Sequence, residues 1–239
     1  MQPRERIILA LDVSDYKDAV EIVSNFKDHI DMFKVGSELF TSAGPKIIET
    51  IHSMNKKVFL DLKFHDIPNT VTKSSLAAAK LGVYMFNIHT MGGFDMMHAA
   101  AQAISTFALE HNAVRPKLIG VTILTSIDQK ALKDDLGVNL RMSAQVKHLS
   151  KLAQTAGLDG VVASAEDAEM IRSYAGKDFL IITPGIRPSW VESNDQKRIV
   201  TPKKAVQKGA DYIVIGRAIT SQASPVKALK RIESELSDA

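Results

Sequence analysis

Short apolar runs recur along the chain at a nearly regular interval, and a segment with helical periodicity separates each from the next. The runs are IILALD (7–12), DMFKVG (31–36), VFLDLK (58–63), VYMFNIH (83–89), PKLIGVTIL (116–124), DGVVAS (159–164), DFLIITPG (178–185) and DYIVIG (211–216). Their β-branched and aromatic content over so few residues is the composition of strands buried on both faces. After the first run, Ala19, Ile22, Val23 and Phe26 fall on one face of an amphipathic helix. Further helices are expected over 45–54, 71–81, 95–111, 141–156, 166–173 and 202–208, and from about Pro225 to the C-terminus. Strict alternation of strand and helix implies a parallel sheet. Eight such units close into a (β/α)8 TIM barrel, α/β in class, as a single domain over 1–239. A doubly wound open sheet would want a glycine-rich turn after the first strand. Here that turn is DVSDYKDA, without glycine.

Composition adjusts this picture only slightly. A chain of 239 residues with 45% hydrophobic and 24% charged residues has ample material for one large core. The formal net charge of +3, with its basic residues scattered, argues against a nucleic-acid surface and suits a small anionic ligand. With no cysteine there are neither disulfides nor thiolate metal sites, which fits a reducing cytoplasm. The N-terminal MQPRERIILALDV is apolar for only a few residues before Asp12, so it reads as a strand and not as a signal peptide or membrane span.

Charge within the strands is more informative. The third run places Asp61 and Lys63 in a buried segment, with Asp66 just beyond. Strand side chains alternate faces, so Phe59, Asp61 and Lys63 share one face while Val58, Leu60 and Leu62 share the other. Ionised groups are seldom buried without partners or a task. A structural ion-pair cluster is the bland explanation, and a reaction centre the sharper one. Barrel enzymes carry their chemistry at the C-terminal strand ends, and two more ends repeat the pattern. Asp12 shares a face with Ile8 and Ala10, and Lys34 shares one with Met32 and Gly36. Four charges of alternating sign, Asp12, Lys34, Asp61 and Lys63, are thus expected to converge on one barrel mouth, which packing does not explain.

The remaining strand ends are polar in other ways. The fourth ends in Asn87 and His89; a lone histidine there is ordinarily a hydrogen-bonded core residue, and the neighbouring lysines would repel a cation shared with His65. After the fifth, Thr125 and Ser126 could bond a polar ring edge or merely cap their loop. The loop Pro184–Pro202, with Arg187, Gln196, Lys197 and Arg198, has the length of a lid or binding loop. Strand eight ends in IGRAIT, where Gly216 permits close backbone approach and Arg217 adds a fork of charge at a helix start. Loops after strands seven and eight are the usual phosphate site of this fold, so a phosphate monoester is the expected ligand there.

The block DLKFHDIPNT, with ALD, FKVG, LTS, TPGIR and VIGRAI in order along the whole chain, resembles the bacterial-type orotidine 5′-phosphate decarboxylase family. That resemblance implies a cofactor-free, metal-free homodimer with shared active sites that converts orotidine 5′-phosphate to uridine 5′-phosphate and CO2 in pyrimidine synthesis. It implies Lys63 as proton donor in a Lys34–Asp61–Lys63–Asp66 network, with Asp66, Ile67 and Thr70 reaching the partner subunit's site. It assigns Asp12 and Lys34 to the ribose hydroxyls, Ser126 to the pyrimidine, and Thr125 and Arg187 to binding loops. Gln196 would bridge base and phosphate, and Arg217 beside Gly216 would hold the phosphate. The nearest competitor is the magnesium-dependent sugar-phosphate decarboxylases and aldolases, which share an Asp-x-Lys-x-x-Asp strand end. Their metal needs a carboxylate from strand two, where this chain has Lys34.

Overall fold

Each apolar run lies on a strand, and the strands close on themselves. In the computed structural model, which describes residues 1–191 and 200–237, the chain runs through β1 (Ile7–Leu11), α1 (Tyr16–Phe26), β2 (Met32–Gly36), α2 (Ser37–Ala43), α3 (Lys46–Ser53), β3 (Lys57–Phe64) and α4 (Pro68–Lys80). It continues through β4 (Met85–His89), α5 (Gly93–Glu110), β5 (Lys117–Val121), α6 (Gln129–Asp134), α7 (Met142–Thr155), β6 (Gly160–Val162) and α8 (Ala165–Ala175). The last elements are β7 (Leu180–Thr183), α9 (Pro202–Gln207), β8 (Tyr212–Ile215), α10 (Arg217–Thr220) and α11 (Pro225–Ser237). Among the described residues, the strands pair in parallel in sequence order from β1 to β8, and β8 returns to β1.

Alternation along the strands sorts the core into two layers. Ile8, Ala10, Met32, Phe59, Met85, Ile119, Ile182 and Val214 fill the barrel interior as one buried cluster. Their strand neighbours Leu9, Phe33, Leu60, Phe86, Leu118, Ile181 and Ile213 belong to the larger cluster under the helices. At roughly 25 cal/mol per Å2 of apolar surface removed from water, this double burial is the main stabilising term.

Two short helices are added to the expected alternation, and one expected helix starts early. α2 follows β2 without a loop and stops at Gly44, whose φ of 61° is left-handed. α6 is a short insertion after β5, started by the Asp128 carboxylate accepting the Ala131 N–H at 2.9 Å. α4 begins at Pro68, ahead of the expected Val71, because proline suits the first helical position, where no N–H is needed. Among the described residues no helix is long and apolar enough to cross a membrane.

The N-terminal barrel end is tied by aspartates that precede strands. The Asp159 Oδ2 accepts the Leu118 N–H at 2.8 Å and pairs with Arg115 Nη1 at 2.6 Å. Asp211 Oδ2 does the same for the Ile181 N–H at 2.8 Å and Arg172 Nη2 at 2.6 Å. Each carboxylate thus satisfies a strand-end donor on the neighbouring strand that the ladder leaves over. Charge at this end holds strands together; charge at the other end is arranged differently.

Candidate active site

At the C-terminal mouth the register decides which charges meet. Ala10 pairs with Lys34 and Lys34 with Phe59, so the Lys34 backbone lies one layer below Gly36, which pairs with Asp61. Its long side chain climbs that layer and places Nζ 3.1 Å from Asp12 Oδ1 and 3.5 Å from Asp61 Oδ2. Gly36 leaves the room, since a Cβ there would stand 3.1 Å from Lys34 Nζ. Lys63 Nζ binds the other oxygen of the same carboxylate, Asp61 Oδ1, at 2.7 Å. The result is a row, Asp12–Lys34–Asp61–Lys63, of alternating sign. Lys34 and Asp61 are nearly enclosed, with side chains 12% and 13% exposed, while that of Lys63 is 35% exposed toward the cavity. Partly desolvated charges survive only when paired in this way.

Lys63 is not reached by plain strand alternation. β3 pairs with β4 at Leu60–Phe86 and next at Phe64–Ile88, so residues 61–63 bulge opposite Asn87 alone. Lys63 sits at φ 53°, a left-handed conformation that costs a residue with a Cβ about 1–2 kcal/mol. Asp61 and Lys63 do face one mouth, but a strained turn delivers the ammonium there. Asn87 stands out in the sequence only as an amide at a strand end, and its burial there calls for hydrogen-bond partners.

A cavity of about 230 Å3 opens above this row, lined by Lys34, Phe59, Asp61, Lys63, Thr125, Ser126 and Pro184 among others. A second of about 360 Å3 continues past Thr125 and Ser126 toward Ser164 and Val200. Thr125 and Ser126 are exposed on the loop after β5, facing both spaces. Gly216 caps the single turn α10 and touches the other end of the row: a Cβ there would meet Asp12 Oδ2 at 3.0 Å and Ala10 Cβ at 3.2 Å. Arg217 follows it, exposed at the mouth. α10 has only four residues, so its dipole adds little and an anion there would rely on Arg217 and nearby N–H groups. Arg187 is buried at the base of the loop after β7, where its N–H donates to the Val200 carbonyl at 3.1 Å. Gln196, with Lys197 and Arg198, lies outside the described residues.

Asp66 does not join the row. It is exposed between β3 and α4, where its Oδ1 accepts the Ile67 N–H at 2.6 Å, and Ile67 and Thr70 are exposed beside it. His65 and His89 face one another with ring centroids 5.3 Å apart. Burial lowers the His89 pKa, and His65 and Lys63 lower it further against an opposing pull from Asp61. Its imidazole is therefore neutral near pH 7 and adds no cation to the row.

Fold and mouth together define a (β/α)8 barrel with a paired row of lysines and carboxylates at its C-terminal mouth. Residues 5–232 match the Orotidine 5′-phosphate decarboxylase / HUMPS family, and the chain belongs to it. It is 45% identical over 239 residues to the orotidine 5′-phosphate decarboxylase of Syntrophomonas wolfei, covering 100% of both chains. With that of Trichlorobacter lovleyi it shares 48% identity over 235 residues, 98% of this chain and 96% of the relative. The crystal structure of orotidine 5′-phosphate decarboxylase from Lactobacillus acidophilus superposes with a TM-score of 0.84 at 36% identity, covering 97% of this chain and 99% of that one.

Proposed function

We propose that the chain decarboxylates orotidine 5′-phosphate to uridine 5′-phosphate and CO2, a carboxy-lyase step of pyrimidine synthesis, with Lys63 as proton donor. The observation that carries the assignment of residues is the Lys63 ammonium, held 2.7 Å from Asp61 and open to the cavity. When the C6–carboxylate bond breaks, its electron pair stays on C6 in an sp2 orbital that the ring delocalises poorly. A fixed ammonium beside that carbon stabilises the growing charge and then transfers its proton to C6. CO2 leaves, and Lys63 regains a proton from solvent. Asp61 holds the Lys63 ammonium in place at 2.7 Å and would lie near the substrate carboxylate. Two unit charges ~4 Å apart repel by about 4 kcal/mol at an effective dielectric near 20, and Lys34 offsets that repulsion from the other side of Asp61.

The phosphate is assigned to Arg217 and the backbone at Gly216, with the ribose hydroxyls on Asp12 and Lys34 and the base edge on Thr125 and Ser126. Arg187 ties the base of the loop after β7 through the Val200 carbonyl. Binding energy from the distant phosphate then orders the site around the reacting carbon. The magnesium-dependent sugar-phosphate reading is disfavoured by Lys34, which stands on β2 where the metal would need a carboxylate beside Asp61 and puts its ammonium 3.5 Å from Asp61 instead. Turnover of orotidine 5′-phosphate is therefore expected to persist undiminished in excess chelator. Loss of activity that magnesium restores would overturn this reading in favour of the sugar-phosphate enzymes.

The active unit is a homodimer in which Asp66, Ile67 and Thr70 serve the neighbour's site. Ile67 is 65% exposed, and Met91 and Phe94 add exposed apolar surface near the same rim, which a second copy would cover. Mixing inactive Lys63→Ala and Asp66→Ala chains after dissociation and reassociation should restore about a quarter of wild-type activity, because half of the dimers are mixed and each has one intact site. A mixture that stays inactive would mean that Asp66 works within its own chain.

A further inference from the structure

We propose that Asn87 is a positioning residue for the reaction: its amide holds the Lys63 backbone in the left-handed turn that aims the ammonium at Asp61. The inference rests on the assignment of Lys63 as proton donor. Asn87 lies on β4 between the outward-facing Phe86 and Ile88 and is 1% exposed. Its Oδ1 accepts the Lys63 N–H at 2.8 Å, and its Nδ2 donates to Asp61 Oδ1 at 2.6 Å. The orientation of the amide follows from its partners, since a backbone N–H can only donate and a carboxylate can only accept.

The strand ladder explains why a side chain is needed. Between the Leu60–Phe86 and Phe64–Ile88 pairs the β3–β4 register is broken, and Asn87 supplies the acceptor that the ladder no longer offers Lys63. It also takes a share of the Asp61 oxygen that Lys63 Nζ binds. Lys63 is thus tied at both ends to one cyclic path: backbone N–H to Asn87, Asn87 to Asp61, Asp61 to the ammonium. Removing the amide frees the φ 53° backbone to relax toward an ordinary strand, which would swing the ammonium away from its carbon.

Two variants test this. Asn87→Ala should lower kcat by about 100-fold, the scale expected for a displacement near 1 Å at the reacting atom, with KM and uridine 5′-phosphate affinity nearly unchanged. Asn87→Asp keeps the shape and the acceptor but must carry a proton to replace the N–H donor toward Asp61. Its activity should therefore fall as pH rises through the raised pKa of the carboxyl pair that the substitution makes with Asp61, a limb absent from wild type. An Asn87→Ala enzyme with wild-type kcat, or an Asn87→Asp enzyme with the wild-type pH profile, would overturn the proposal. Should the alanine variant not fold, the isosteric Asn87→Asp variant decides alone. Wild-type protein that fails to decarboxylate the substrate would instead defeat the functional reading on which the proposal rests.

Discussion

Replacing Lys63 by alanine is expected to reduce decarboxylation by at least about 10,000-fold, because one group supplies both the charge that stabilises the carbanion and the proton that quenches it. Affinity for uridine 5′-phosphate should change by no more than about threefold, since the product has no charge at C6 for the ammonium to meet. The two effects separate because a contact made mainly in the transition state lowers kcat without weakening ground-state binding. Removing Lys63 leaves Asp61 still paired with Lys34 at 3.5 Å and hydrogen-bonded to Asn87 at 2.6 Å, so the rest of the row should hold its place. Stopped-flow or spectrophotometric turnover beside equilibrium binding of the product would test this. A variant that kept near-normal turnover would refute Lys63 as the donor.

The second large effect is expected at Arg217. Its alanine variant should lose about 100- to 1,000-fold in kcat/KM with orotidine 5′-phosphate, the scale of a charge-assisted fork to a phosphate that drives ordering of the site. With orotidine, which lacks the phosphate, the same variant should match wild type within about twofold. That contrast is the decisive part. Equal losses on nucleotide and nucleoside would mean that Arg217 supports the barrel end or α10 and does not hold the phosphate. Asp12 is the control, because a Cβ at Gly216 would already crowd its Oδ2 at 3.0 Å. Arg217→Ala removes no atom from that contact, so the ribose end of the site should stay intact.

Much of this architecture is legible in the residues alone. Period-two alternation places Ile8 with Ala10 and Phe59 with Asp61, and both faces fall where alternation puts them. The short apolar runs and their helical spacers are local patterns, so they survive folding unchanged. α2 and α6 are harder to see because each is too short to show a helical stripe and is held by a cap or a following glycine. The roles given to Asp66, Ile67 and Thr70 rest on resemblance to a family. Within one chain those residues simply face outward.

The residues alone imply eight parallel strands alternating with helices and Asp12, Lys34, Asp61 and Lys63 at their C-terminal ends. Those facts follow from local periodicity and residue type. Only the tertiary structure decided which charges touch. Barrel closure sets the stagger of β1, β2 and β3 that lets Lys34 climb past Gly36 to sit between two carboxylates. The break in register against β4 turns Lys63 left-handed and brings Asn87 to both members of the Asp61–Lys63 pair. Register and bulge depend on the strand next door, more than twenty residues away along the chain, and no window of sequence around Lys63 contains it.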